Sequence, residues 1–272
     1  MDVTLLKITA GLYLLATGSF ILYLILLKSI FSRLSPILLL GGFSIQTAAL
    51  ALHFLQSGYL PVTELREALS FYSWLMVGVY LLVQLKYDVT VLGSIIAPLA
   101  FLMSVGVFTF GPAAEALSPA LKSYWLPLHV TLAFLGNAVF ALAFGISLIY
   151  LLQEYQVKNK KITILYKRFP SLETLDQLNY VFLVWGFPLM TLGIITGSLW
   201  AGVQWGKYWS WEPREISSGI TWLIYGFLLH GRVSGLRGRK AAVWTIVGFV
   251  VVLSYFLWGE TLFPTRHAGS FE

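Results

Sequence analysis

The sequence predicts an all-α fold, a polytopic membrane bundle of about eight transmembrane helices. Three observations carry this. Of the 272 residues, 58% are hydrophobic and only 11% are charged, against about 25% charged in a soluble globular domain. Apolar stretches recur along the chain at lengths near the roughly 20 residues that a membrane-spanning helix needs. No Asp, Glu, Lys or Arg falls in the middle of any of them. At that density of spans, residues 1–272 read as a single integral membrane domain, with no length left for a separate soluble one.

The spans read as residues 5–27, 36–56, 68–85, 89–110, 126–152, 179–200, 216–231 and 241–259. The first is too long for the apolar part of a signal peptide and lacks a basic lead-in, so no cleavable leader is expected. The seventh is short and begins directly after a cluster of tryptophans. The longest polar loop, 153–179, carries Lys158, Lys160, Lys161, Lys167 and Arg168, and the last loop carries Arg232, Arg237, Arg239 and Lys240. Together with Lys28, Arg33 and Lys86 they put twelve of the 18 basic residues on one side of the membrane, while eight of the 12 acidic residues fall on the other. By the positive-inside rule the basic side is cytoplasmic and both termini face outward, N-out/C-out. An even number of spans requires the same. The net charge of +6 therefore reports topology, and no nucleic-acid partner is expected.

Several chemistries are excluded. With no cysteine the chain has no disulfide, thiol nucleophile or thiolate metal ligand of its own. Ion-coupled carriers usually hold a titratable or ion-binding group at the midplane. Its absence counts against a proton- or sodium-driven transporter.

The informative segment is 200–215, placed outside by the topology. WAGVQWGKYWSW holds four of the ten tryptophans and is followed at once by Glu212-Pro213-Arg214-Glu215. An aromatic belt explains scattered residues such as Trp74, Trp125, Trp185 and Trp258, but not this density. If the segment is helical, Trp205, Tyr208 and Trp209 share a face, being three and four residues apart. Large rigid rings can stack on a porphyrin. Glu212-Pro213 reads as a helix start, since proline suits the first helical position, and Glu215 suits the positive end of the helix dipole.

The four histidines complete the pattern. His129 lies near the outer start of the fifth span and His267 in the outer C-terminal tail, one on each side of the tryptophan segment in sequence. Neutral imidazole is a common axial ligand of haem iron, so this pair with an aromatic platform between them suggests a bis-imidazole haem pocket. His230 sits at the inner end of the seventh span, where position alone leaves a structural and a ligand role equally open. For His53, near the outer end of the second span, a structural role is the better reading.

These residues resemble a known family. Trp205-Gly206-Lys207-Tyr208-Trp209-Ser210-Trp211-Glu212-Pro213-Arg214-Glu215 is similar to the tryptophan-rich "WWD" signature of haem-handling proteins in cytochrome c biogenesis. The continuation from Ile220 through Tyr225 to His230 points to the CcsA/ResC branch rather than to the shorter CcmC or the larger CcmF type, and the likeness covers essentially the whole chain. The resemblance implies a multi-pass protein of the plasma (inner) membrane whose working face is extracytoplasmic. It implies haem b as the bound group, His129 and His267 as the outer axial ligands, and His230 as an inner haem ligand. Trp205, Tyr208, Trp209 and Trp211 would form the cradle, with Glu212 at its edge. It further implies a CcsB/ResB-type membrane partner and an apocytochrome c whose CxxCH thiols are joined to the haem vinyl groups, which would make the chain a holocytochrome c synthase subunit. HemX-like relatives supply the alternative, a haem-binding membrane protein that regulates haem biosynthesis. The family usually carries Asp where this chain has Glu212, and Asp is the better N-cap, so the helix start is expected to be built differently here.

Overall fold

In a bilayer no water satisfies a backbone N–H or C=O, so a spanning segment closes its hydrogen bonds internally as helix. The computed structural model describes residues 2–26, 28–109, 123, 125–160, 166 and 168–262, with side chains of the last helix described as far as Ser254. Eight helices occur among them: α1 (Val3–Leu26), α2 (Ser29–Ser57), α3 (Leu65–Tyr87), α4 (Thr90–Thr109), α5 (Trp125–Lys158), α6 (Leu172–Trp205), α7 (Pro213–Val233) and α8 (Arg239–Leu262). Each expected span corresponds to one of them, with residues 27 and 110 outside the described residues, and no strand occurs among the described residues.

Several helices overrun their spans, α6 the most. α5 and α6 have 34 residues each, about 51 Å at the usual rise, against a hydrocarbon core of about 30 Å. α6 starts inside the expected polar loop and runs on to Trp205, so it carries the first two tryptophans of the cluster. α7, expected to be short, extends to 21 residues because a capping box and a proline start it at Pro213. Among the described residues, six helices, α1 to α6, are long and apolar enough to cross a membrane. α7 matches them in length but carries Arg214, Glu215 and Arg232. The chain is a multi-pass membrane protein.

The chain divides into two compact units, Met1–Glu115 with Leu152–Ser171, and Ala116–Leu151 with Leu172–Glu272. In the first, α1 packs on α2 and α4, and α3 packs on α4, around the fully buried Tyr13, Phe20, Met76, Tyr80 and Ile96. Burying polar groups is costly unless they are hydrogen-bonded, and here they form a chain. The Tyr13 hydroxyl donates to Gln46 Oε1 (2.6 Å), and Gln46 Nε2 donates to Ser70 O (2.9 Å) and Ser73 Oγ (2.8 Å).

In the second unit α7 packs on α6 and α8, and Phe140 of α5 stacks on Tyr225 of α7 with ring centroids 3.7 Å apart. Asn179 Nδ2 donates to Ser147 Oγ (2.9 Å) and Thr245 Oγ1 (3.0 Å), joining α5, α6 and α8. At the far end of α7, Arg232 grips Asp176 in a fork, with Nη1–Oδ1 at 2.6 Å and Nη2–Oδ2 at 2.9 Å. The Gly238 N–H donates to the same carboxylate at 2.7 Å. One ion pair thus ties the start of α6, the end of α7 and the α7–α8 turn together.

Candidate functional site

The tryptophan segment is built by the end of α6 and the loop that follows. Trp200 is buried and Trp205 half-exposed, their rings meeting edge to face at 4.9 Å. α6 then stops because Gly206 takes the left-handed conformation, φ 70°, and its N–H closes on Gly202 O at 3.0 Å. Glycine favours this helix-ending geometry because it has no Cβ to clash. Residues 206–212 are not helical. The expected shared helical face of Trp205, Tyr208 and Trp209 is therefore corrected: Gly206 ends the helix before the three-and-four spacing can apply.

A loop displays the rings instead. The Tyr208 carbonyl accepts from Ser198 Oγ, and its ring lies so close over Gly202 that a Cβ there would stand 2.5 Å from it. Trp209 and Trp211 meet edge to face at 5.9 Å. Trp211 has φ 59°, a left-handed conformation that costs a bulky side chain on the order of 1–3 kcal/mol. The Glu215 carboxylate holds the strained turn in place: its Oε2 accepts the Ser210 N–H at 2.7 Å and the Glu212 N–H at 3.3 Å. Glu212 is the N-cap of α7 and returns the contact by accepting from the Glu215 backbone N–H. The longer carboxylate thus caps within a reciprocal box, in which Glu215 supplies the second half.

The resulting surface leaves Tyr208 65% and Trp211 74% exposed, while among the described residues the buried Trp209 Nε1 has no hydrogen-bond partner. An unmet buried donor costs about 1–3 kcal/mol. The exposed rings of Tyr208 and Trp211 offer an apolar face to a flat ligand.

His129, in the second turn of α5, joins the same surface. Its Nδ1 lies 2.8 Å from Gly193 O. A carbonyl oxygen can only accept, so Nδ1 carries a proton and donates here. A backbone carbonyl on one ring nitrogen is how metal-ligating histidines are oriented. Gly197 makes room for the ring, since a Cβ there would meet His129 Cε1 at 2.5 Å. On the other side the imidazole stacks on Trp200, the planes 14° apart and the centroids at 6.4 Å. His129, Trp200 and Trp205 are consecutive in contact, with Tyr208, Trp209 and Trp211 on the loop beyond.

The remaining histidines are elsewhere. His230 is exposed in the last turn of α7, about 26 Å along the helix axis from Pro213 at the usual rise, so it does not join His129. His267 lies outside the described residues. His53, in the first unit, is buried with Nε2 3.3 Å from Glu67 Oε1 and its ring edge-on to Tyr59 at 5.3 Å. Glu67 accepts from the Thr63 N–H and hydroxyl through its other oxygen.

Four supporting residues escaped the candidate set. Trp200 lies in the same tryptophan run, and Glu215 stands at capping-box spacing from Glu212, so both had a local signal. Gly197 and Ser198 had none, because their partners His129 and Tyr208 are brought to them by tertiary structure.

Residues 62–262 match the model of a family described as cytochrome C assembly protein. The chain belongs to that family. The cytochrome c biogenesis protein CcsA of Guillardia theta is 33% identical over 231 residues, covering 78% of this chain and 77% of the relative. CcsA of Mesostigma viride is 32% identical over 279 residues, 89% and 92% respectively, and that of Prochlorococcus marinus 30% over 237 residues, 76% and 75%. Among solved structures, a cytochrome c heme lyase CcmF superposes with a TM-score of 0.65 over 95% of this chain at 18% identity. That likeness is one of fold, and the chain spans 49% of the CcmF chain. Membership in the family gives the chain a role in cytochrome c maturation.

Proposed function

We propose that the chain binds haem b on the tryptophan surface, presents it outside the plasma (inner) membrane and supports its thioether attachment to the CxxCH of apocytochrome c. A CcsB/ResB-type membrane protein is the proposed partner, and residues 1–272 act as one integral membrane domain with N-out/C-out orientation and 200–215 as its extracytoplasmic part. The observation that carries the reading is the set imidazole of His129. Its Nδ1 is anchored on Gly193 O, which fixes the orientation of the ring, and the ring is stacked on the first tryptophan of the cluster.

In this reading His129 and His267 would hold the haem iron, and Trp205, Tyr208, Trp209 and Trp211 would hold the macrocycle. Glu212 and Glu215 keep the loop in its displayed form. The thioether bond forms when a substrate thiol adds across a vinyl group, the sulfur bonding to one carbon and the proton going to the other. Both reactants come from the substrates. The contribution of this chain is therefore position: fixed axial geometry and an exposed ring edge turn an encounter of two molecules into a near-attack arrangement. His230, at the other end of α7, is proposed as an inner haem ligand that acts before the outer site.

The test is a cytochrome c reporter co-expressed with this chain and its partner, read by covalent haem staining, beside the visible spectrum of the purified protein. Wild-type protein is expected to show a six-coordinate low-spin haem, and His129→Ala with His267→Ala to lose both that spectrum and the stained reporter. Retention of both in the double variant would refute the pocket.

A further inference from the structure

We propose that the cleft between the end of α7 and the start of α8 binds an acidic phospholipid, its headgroup on Arg237 and Lys240 and an acyl chain along the α7–α8 groove. The cleft has a volume of about 530 Å³, and its lining includes Phe227, Ser234, Arg237, Lys240 and Trp244. Cations and a hydroxyl thus meet two aromatic side chains whose rings lie edge to face at 6.2 Å. That combination suits an amphiphile with an anionic head.

The two cations are available. Arg237 and Lys240 are exposed, and among the described residues neither makes an ion pair. The neighbouring Arg232 is committed: its fork on Asp176 neutralises the adjacent carboxylate. That carboxylate also takes the Gly238 N–H, and Leu236 N–H closes on Gly231 O at 2.8 Å. The turn carrying Arg237 is therefore held from both sides. Below it the groove stays apolar and open, with Leu223 and Phe227 each 63% exposed on α7 and Trp244 and Val247 about 40% exposed on α8. Basic pockets between helix ends on the cytoplasmic side bind anionic headgroups, and the leaflet follows from the proposed orientation. The site itself does not depend on haem binding.

Native mass spectrometry of the full chain tests this, with phosphatidylglycerol or phosphatidylcholine of matched chains added to delipidated protein. Wild type is expected to retain phosphatidylglycerol with roughly ten-fold preference. Arg237→Gln with Lys240→Gln should abolish the preference, whereas Arg237→Lys with Lys240→Arg should keep it, which separates charge from folding. Lys28→Gln with Lys86→Gln, an equal loss of charge elsewhere, should also keep it. No preference in wild type, an unchanged preference in the Gln pair, or an equal loss in the Lys28 and Lys86 control would overturn the proposal. So would displacement of the lipid by stoichiometric haem, which would make porphyrin carboxylates the occupant.

Discussion

Two histidines in two units of this molecule are built differently, and the difference separates structure from binding. His53 is buried and faces a carboxylate, Glu67, that is itself 1% exposed and held by Thr63. His129 faces a carbonyl, Gly193 O, at 2.8 Å. A carboxylate can pair with either charge state of an imidazole, whereas a carbonyl selects the tautomer and adds no charge. His53 is buried beside Glu67 and Tyr59, and among the described residues its Nε2 completes no hydrogen bond. His129 is turned by its carbonyl and by Gly197 onto Trp200, at the edge of a surface with exposed aromatic rings and a buried indole donor that no described group satisfies. One imidazole is buried beside a carboxylate, and the other is oriented as a ligand would be.

The sharpest way to break this contrast is His129→Ala, expected to remove the low-spin haem spectrum and lower reporter maturation more than the roughly 10- to 100-fold typical of losing a supporting residue around a metal. Gly197→Ala comes next. Its methyl group would stand 2.5 Å from the imidazole and displace the ring while keeping the histidine itself. About a ten-fold weaker haem affinity is expected, with helix content unchanged by circular dichroism. Glu215→Ala removes the acceptor for the Ser210 and Glu212 N–H groups, worth about 1–3 kcal/mol for hydrogen bonds to a charged group. Faster hydrogen exchange at residues 208–212 and a several-fold loss of maturation should follow. Least of all, His53→Ala should leave the haem spectrum and maturation rate per folded molecule intact. It should lower the unfolding midpoint in detergent, because Glu67 then loses a buried partner. If His53→Ala instead matched His129→Ala in the spectrum, the contrast would collapse.

Much of the fold was legible because a bilayer leaves so few options: each long apolar run became a helix. The boundaries were less so. α5 and α6 continue for turns beyond the apolar run, since a formed helix adds polar residues at little cost, and α7 starts earlier because Glu212, Pro213 and Glu215 nucleate it. At the site, the kinds of residue could be read but not their arrangement. A helical face was expected across Trp205 to Trp209, yet Gly206 gave the segment a break, and the rings stand on a loop held by Ser198 and Glu215. Glu212 caps its helix although Asp would be the better cap, because the partner three residues on completes the box. The bond that sets the His129 tautomer joins residues 64 apart, which no local pattern carries.

The proposed ligation of haem iron by His129 is the step on which the other roles at this site depend. Electron paramagnetic resonance of the purified ferric protein tests it most directly, comparing wild type, His129→Ala, and His129→Ala with added imidazole. Wild type is expected to give a low-spin bis-imidazole signal, the variant a high-spin signal, and added imidazole to restore the low-spin signal by filling the vacated position. A variant whose signal is identical to that of wild type would contradict it.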